Sequence, residues 1–250
     1  MSVLSKLTDE YFKETEREED VVKLEGVKRR DFKDTSGKLH KNGYYIPSGD
    51  RNILKKLILK LVEKRGNECD LNDIDVSNIE SMQSLFDGIN DFNGDVSHWD
   101  VSNVVNMSAM FQGSKKFNKP LNDWNVSKVT NMSNMFAYAS SFNQPLDKWD
   151  VSNVRDMALM FYIARSFNQP INNWNVSRVT SMSGMFSNAI KFNQPLDKWN
   201  VSRVEYMNGM FKGAESFNQS LDEWVINDEL QMKDIFKGSP LLVKSPKWYW

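Results

Sequence analysis

The chain of 250 residues holds one cysteine, Cys69, and two histidines, His40 and His98. A lone thiol excludes an intramolecular disulfide and any zinc site built on several cysteines. The histidines are isolated, without ligand spacing to each other or to a catalytic partner. No phosphate-cradling glycine loop, nucleophile elbow or His-Glu-x-x-His motif occurs, so no enzyme, metal or cofactor is expected. Charge of one sign is also lacking: 32 basic and 33 acidic residues leave a net charge of -1, which gives no general pull toward nucleic acid. No run approaches the roughly 18 apolar residues of a membrane span, so no membrane insertion is expected. The N-terminus has neither a signal-peptide core nor a lipobox cysteine, so the residues alone point to the cytoplasm.

What the chain has is a period. Trp99, Trp124, Trp149, Trp174, Trp199 and Trp224 fall 25 residues apart. Val76, Val101, Val126, Val151, Val176, Val201 and Ile226 keep the same register, as do a methionine column from Met82 to Met232 and a phenylalanine column from Phe86 to Phe236. A unit this short cannot bury its apolar face alone and must stack on its neighbours. Within one unit, Met132, Met135, Phe136 and Ala139 have the i, i+3, i+4, i+7 spacing of a short helix. Phe142-Asn143-Gln144-Pro145 reads as a turn, and Trp149-x-Val151 as a very short strand. The fold class expected is an α/β repeat solenoid, leucine-rich-repeat-like, with one short parallel strand and one short helix per 25-residue repeat. Asn118, Asn143, Asn168, Asn193 and Asn218, with Asn93, form a column expected to satisfy turn backbone groups, and the serines after each valine column are expected to cap in the same way.

The unit FNQPLDKWDVSNVRDMALMF, Phe142 to Phe161, resembles the repeat of the BspA-like leucine-rich-repeat proteins, more narrowly the mycoplasma-type branch, a domain of unknown function. The resemblance covers roughly Leu71 to Gly238. It implies a solenoid displayed on the cell surface and associated with adhesion or host contact, and no reaction, cofactor or defined ligand.

Three regions follow. Residues 1–66 are expected to cap the stack. Met1 to Asp20 reads as either a surface helix or a disordered segment, Lys23 to Asp50 as a loop or hairpin, and residues 50–65 as a helix with Ile53, Leu54, Leu57, Ile58, Leu61 and Val62 on one face. Residues 1–65 carry 16 basic and 12 acidic groups, against 16 and 21 in the remainder. The acidic stretch Asp70 to Asp75 reads as a solvated loop rather than a calcium site. Residues 67–238 form about seven repeats. In residues 239–250, Leu241, Leu242 and Trp248 are expected to cover the last repeat, or else Trp248, Tyr249 and Trp250 form an exposed aromatic tail.

If each strand turns Trp and Val inward, its other residues face solvent. His98, Asp123, Lys148, Asn173, Lys198 and Glu223 form one such column; Asp100, Asn125, Asp150, Asn175 and Asn200 form the next. Together they are the candidate binding face for an unknown protein or peptide partner, on a chain expected to be a monomer. The alternative is an assembly protein that forms homo-oligomers through its stack edges or aromatic tail.

Overall fold

A computed structural model describes residues 23–249; the expectations for Met1 to Asp20 and for Trp250 lie outside the described residues. Strands β1 (Lys28–Lys33) and β2 (Leu39–Tyr45) form an antiparallel hairpin around a tight turn in which Gly37 has φ 84°. β2 then pairs in parallel with β3 (Ile74–Asp75), tying the hairpin to the first repeat. Between them runs α1 (Arg51–Arg65), capped by the Asp50 side chain, which accepts from the Asn52 N–H, and stopped at Gly66. Leu54, Leu57, Ile58, Leu61 and Val62 are buried in the common core, and Ile53 packs against it.

From Leu71 onward, 25-residue rungs lie one on the next. Parallel bridges join Ser81, Asn106, Asn131, Asp156, Ser181, Tyr206 and Gln231 in succession. In the interior rungs, four alternate N–H groups reach the following rung: Met107, Ala109, Phe111 and Gly113 donate to the carbonyls of Asn131, Ser133, Met135 and Ala137 at 2.8–2.9 Å. The intervening N–H groups close local turns, as in Met110 to Met107 and Gln112 to Ala109. Between Met107 and Gly113 every donor is thereby used, four across the rungs and three within, the Ser108 N–H going to the Asn106 side chain.

This pattern corrects the expected anatomy of the repeat. The segment Met132–Ala139 is a run of turns, because Asn134 and Tyr138 sit at φ 59° and 62° and break any i to i−4 ladder. The same left-handed positions recur from Ser84 to Asp234 and from Gly88 to Gly238. Trp149-x-Val151 is likewise no strand: the Asp150 carboxylate accepts from the Ser152 N–H at 3.0 Å and folds the chain into a turn.

The core is a set of aromatic columns. Phe136 stacks on Phe161 and Phe161 on Phe186, each at 5.7 Å, and Phe136 lies 4.0 Å from Phe142 of its own rung. Trp149, Trp174 and Trp199 stack at 6.3 and 6.5 Å. Each indole N–H donates to a carbonyl of the preceding rung: Trp99 to Leu71, Trp124 to Val96, Trp149 to Leu121, Trp174 to Leu146, Trp199 to Ile171 and Trp224 to Leu196.

Both ends are closed over the core. At the first rung, Arg51 donates to the Gln83 carbonyl at 2.6 Å, and Lys55 to those of Ser84 at 2.6 Å and Asp87 at 3.2 Å. At the last, Trp248 stacks on Trp224 at 6.1 Å and donates to the Leu221 carbonyl, while Leu241 is buried. Leu242 is 44% exposed and does not join this cover, because the short 3-10 turn Pro240–Leu242 turns only Leu241 inward.

The hairpin supplies a pH-sensitive contact. Asp34 is buried; its carboxylate accepts from the Ser36 hydroxyl and the N–H groups of Ser36 and Lys38, and lies 2.8 Å from His40 Nε2. Burial pushes the carboxyl up, but the bonds from Ser36, His40 and Lys38 outweigh it and bring its pKa to about 2. A folded value below the unfolded value of about 3.9 means stability that is present above pH 4 and lost as pH falls toward 2. The Tm difference between the native chain and Asp34→Asn is therefore expected to shrink across that window; a difference independent of pH down to 2 would contradict it.

Candidate binding surfaces

The Trp-side face separates into two kinds of residue. Asp123, Lys148, Asn173, Lys198 and Glu223 are exposed, and His98 is half-buried, its carbonyl accepting from the Thr35 N–H and hydroxyl. Lys148 donates to Asp123 at 2.8 Å; that bond holds the Asp123 carboxyl below, and the Lys148 ammonium above, their usual ranges. The second column has a local structural role: Asp100, Asn125, Asp150, Asn175 and Asn200 each accept the N–H of the serine two residues on. The turn is thus held by the Asx side chain, where the sequence suggested the serine. Lys198, Asn200 and Glu223 come together around a depression of about 410 Å³ beside Asp197 and the 72% exposed Val225. His98 and Asp100 lie elsewhere, lining a 260 Å³ pocket with Arg30 and Asp34.

The asparagine column is a ladder. The side-chain oxygens of Asn93, Asn118, Asn143, Asn168 and Asn193 accept the N–H of the asparagine one rung on, at 2.9–3.1 Å. Gln169, Gln194 and Gln219 add a second donor to the same oxygens. The acidic stretch is also committed: Asp73 pairs with Arg65, and Asp75 is buried against Arg30 and Ser77, so the solvated-loop reading is corrected there.

An open groove lies on the methionine side, where the sequence reading placed no site. Of about 1040 Å³, it crosses four rungs and is lined by Leu159, Tyr162, Gly184, Asn188, Gly209, Lys212, Met232 and Lys233 among others. Its floor drops because the left-handed position held by Leu159 at φ 58° is glycine in the next two rungs, at φ 63° and 62°. A Cβ on Gly184 would lie 2.6 Å from Leu159 Cδ2, whereas one on Gly209 would meet nothing closer than 3.7 Å. Beside the groove, Tyr138 meets Tyr162 edge-on at 5.1 Å, and the hydrogen bond with Tyr162 pushes the Tyr138 phenol up.

A signal for this surface exists in the sequence. In register with the fixed methionines run Ala158, Ser183, Asn208 and Lys233, and Leu159, Gly184, Gly209 and Asp234. Reading the segment as a helix hid the fact that these columns form one face. Among the described residues no group of three or more His, Cys, Asp or Glu side chains is placed to hold a metal, and Cys69 is buried, its thiol pushed up by that burial.

The chain is thus an array of stacked 25-residue rungs bearing variable open surfaces. Two segments, residues 58–169 and 142–248, match the family described as "Mycoplasma protein of unknown function, DUF285", and the chain belongs to that family. Neither the curated proteins nor the solved structures give a match.

Proposed function

We propose that the chain is a leucine-rich-repeat-like solenoid of the BspA type that acts as a non-enzymatic protein-interaction module, closed at its N-terminal end by α1. The observation that carries this reading is the methionine-side groove, about 1040 Å³ of open, partly apolar space lined by positions that differ from rung to rung. Pockets of this size, with few polar groups placed at the margin, suit a peptide or a protruding loop of a partner. Backbone conformation supports it. Leu159, which lines the groove, holds a left-handed position that is glycine in the next two rungs, a conformation costing roughly 1–2 kcal/mol per ordinary residue. Such strain is retained where the side chain itself is needed. The family resemblance directs the reading toward adhesion or host contact at a cell surface; no helix among the described residues is long and apolar enough to cross a membrane.

The test compares two faces in one capture experiment from the native cell. Tyr162→Ala with Lys212→Glu is expected to reduce partner capture by about tenfold or more at unchanged Tm, as loss of an interface anchor does. Lys148→Glu with Lys198→Glu is expected to leave capture largely intact. Loss only in the second pair would move the site to the Trp side, and capture that survives both would remove the binding reading.

A further inference from the structure

Polarity changes along the methionine-side groove. Leu159 and Tyr162 make one end apolar. Further along the stack, Lys212 and Lys233 stand exposed on the lining, and neither side chain makes an ion pair or a hydrogen bond among the described residues. The one carboxylate among the described lining residues, Asp234, already lies 3.8 Å from a third cation, Lys237. The far end of the groove is therefore cationic with no acid of its own left to answer Lys212 and Lys233. Between the two ends the floor is Gly184 and Gly209, which put no side chain into the space. The Asn208 side-chain oxygen accepts the Lys233 N–H at 2.7 Å, which leaves its NH2 group to donate to a main chain lying over the glycines.

We infer that the groove takes an extended peptide segment that carries an apolar side chain and, three or four residues away, an aspartate or glutamate. The inference rests on the reading of this groove as a protein-binding surface and names the chemistry of the partner. Geometry sets the spacing. Lys212 lies two rungs beyond Tyr162, and Lys233 three rungs beyond Leu159. At about 4.8 Å per rung these spans are about 10 and 14 Å, which an extended chain covers in about three to four residues at roughly 3.3 Å each. Charge sets the acid, since unpaired lysines on a rim reward an opposite charge and reject a like one. The apolar end sets the polymer: an acidic polysaccharide would meet the lysines but brings no side chain for Leu159 and Tyr162.

The test selects a random twelve-residue peptide library displayed on phage against the full chain. Winning peptides are expected to share an apolar residue and an acid three or four positions apart. A synthetic winner is expected to shift the amides of Gly184, Gly209 and Lys212 and to leave those of Lys148 and Lys198 unmoved. The double variant Lys212→Glu, Lys233→Glu changes only exposed side chains, so its Tm is expected to stay native. It is expected to bind that peptide about tenfold or more weaker and to select Lys or Arg in place of the acid. Leu159→Gly, which relieves a left-handed residue, is expected to weaken the same peptide while keeping the demand for an acid. No enrichment, winners without the paired motif, or a motif unchanged by the charge reversal overturns the inference. Equal displacement of the peptide by chondroitin sulfate, charged but without apolar side chains, overturns it as well. So do groove amides that shift with protein concentration alone, which would make the occupant a second copy. In each of these cases, capture from the native cell that still depends on Tyr162 and Lys212 leaves the binding reading standing.

Discussion

Truncating Trp149 to alanine is expected to lower the free energy of unfolding by about 3–5 kcal/mol, the range for removing a large buried aromatic. The indole is 3% exposed and stacks at 6.3 Å on Trp174. It also donates to the Leu121 carbonyl at 2.8 Å, so truncation opens a cavity and removes one of the two bonds to that carbonyl, which keeps the Trp124 N–H at 3.1 Å. Trp149→Phe separates the two effects: it keeps most of the apolar surface and removes only the indole hydrogen bond, for an expected loss of about 0.5–1.5 kcal/mol. Trp248, half-buried at the end of the column, is expected to cost less than Trp149 on truncation. Denaturant unfolding reads all three, and an unchanged midpoint for Trp149→Ala would contradict the stack.

Deleting residues 1–65 is expected to cause aggregation or loss of cooperative unfolding. It removes the buried face of α1 and the β2 partner of β3, and it frees the carbonyls that Arg51 and Lys55 hold on the first rung. Ile74, Val76, Ile79, Leu85 and Phe86, all buried in the intact chain, would face water. Deleting only residues 1–20 is expected to be mild. A soluble fragment starting near Asn67 that unfolds cooperatively would show that the head is a separate unit.

The period was legible because successive rungs repeat their large residues: each tryptophan from Trp99 to Trp224 is buried because the same environment recurs every 25 residues. The helix α1 was legible for the ordinary reasons, an aspartate cap, an apolar stripe and a glycine stop. The inside of the rung was not. Met132, Met135, Phe136 and Ala139 have helical spacing, yet each second N–H finds its acceptor on the next rung, a partner that no window along one segment contains. Left-handed Leu159 and Ile163 are invisible to propensity, since neither residue favours that conformation. The second Trp-side column looked like a free surface because an aspartate that closes a turn and an aspartate that waits for a partner are the same letter.

The central claim is that 25 residues of sequence advance the structure by one rung along a single axis. Pairs of spin labels on the exposed positions Asp91, Lys116, Lys191 and Ser216 measure it by pulsed dipolar spectroscopy. Lys116 with Lys191 spans three rungs, Asp91 with Lys191 four and Asp91 with Ser216 five, so the distances are expected to rise steadily from about 14 to about 24 Å, at about 4.8 Å per rung. A spacing that does not increase with rung number would contradict the account.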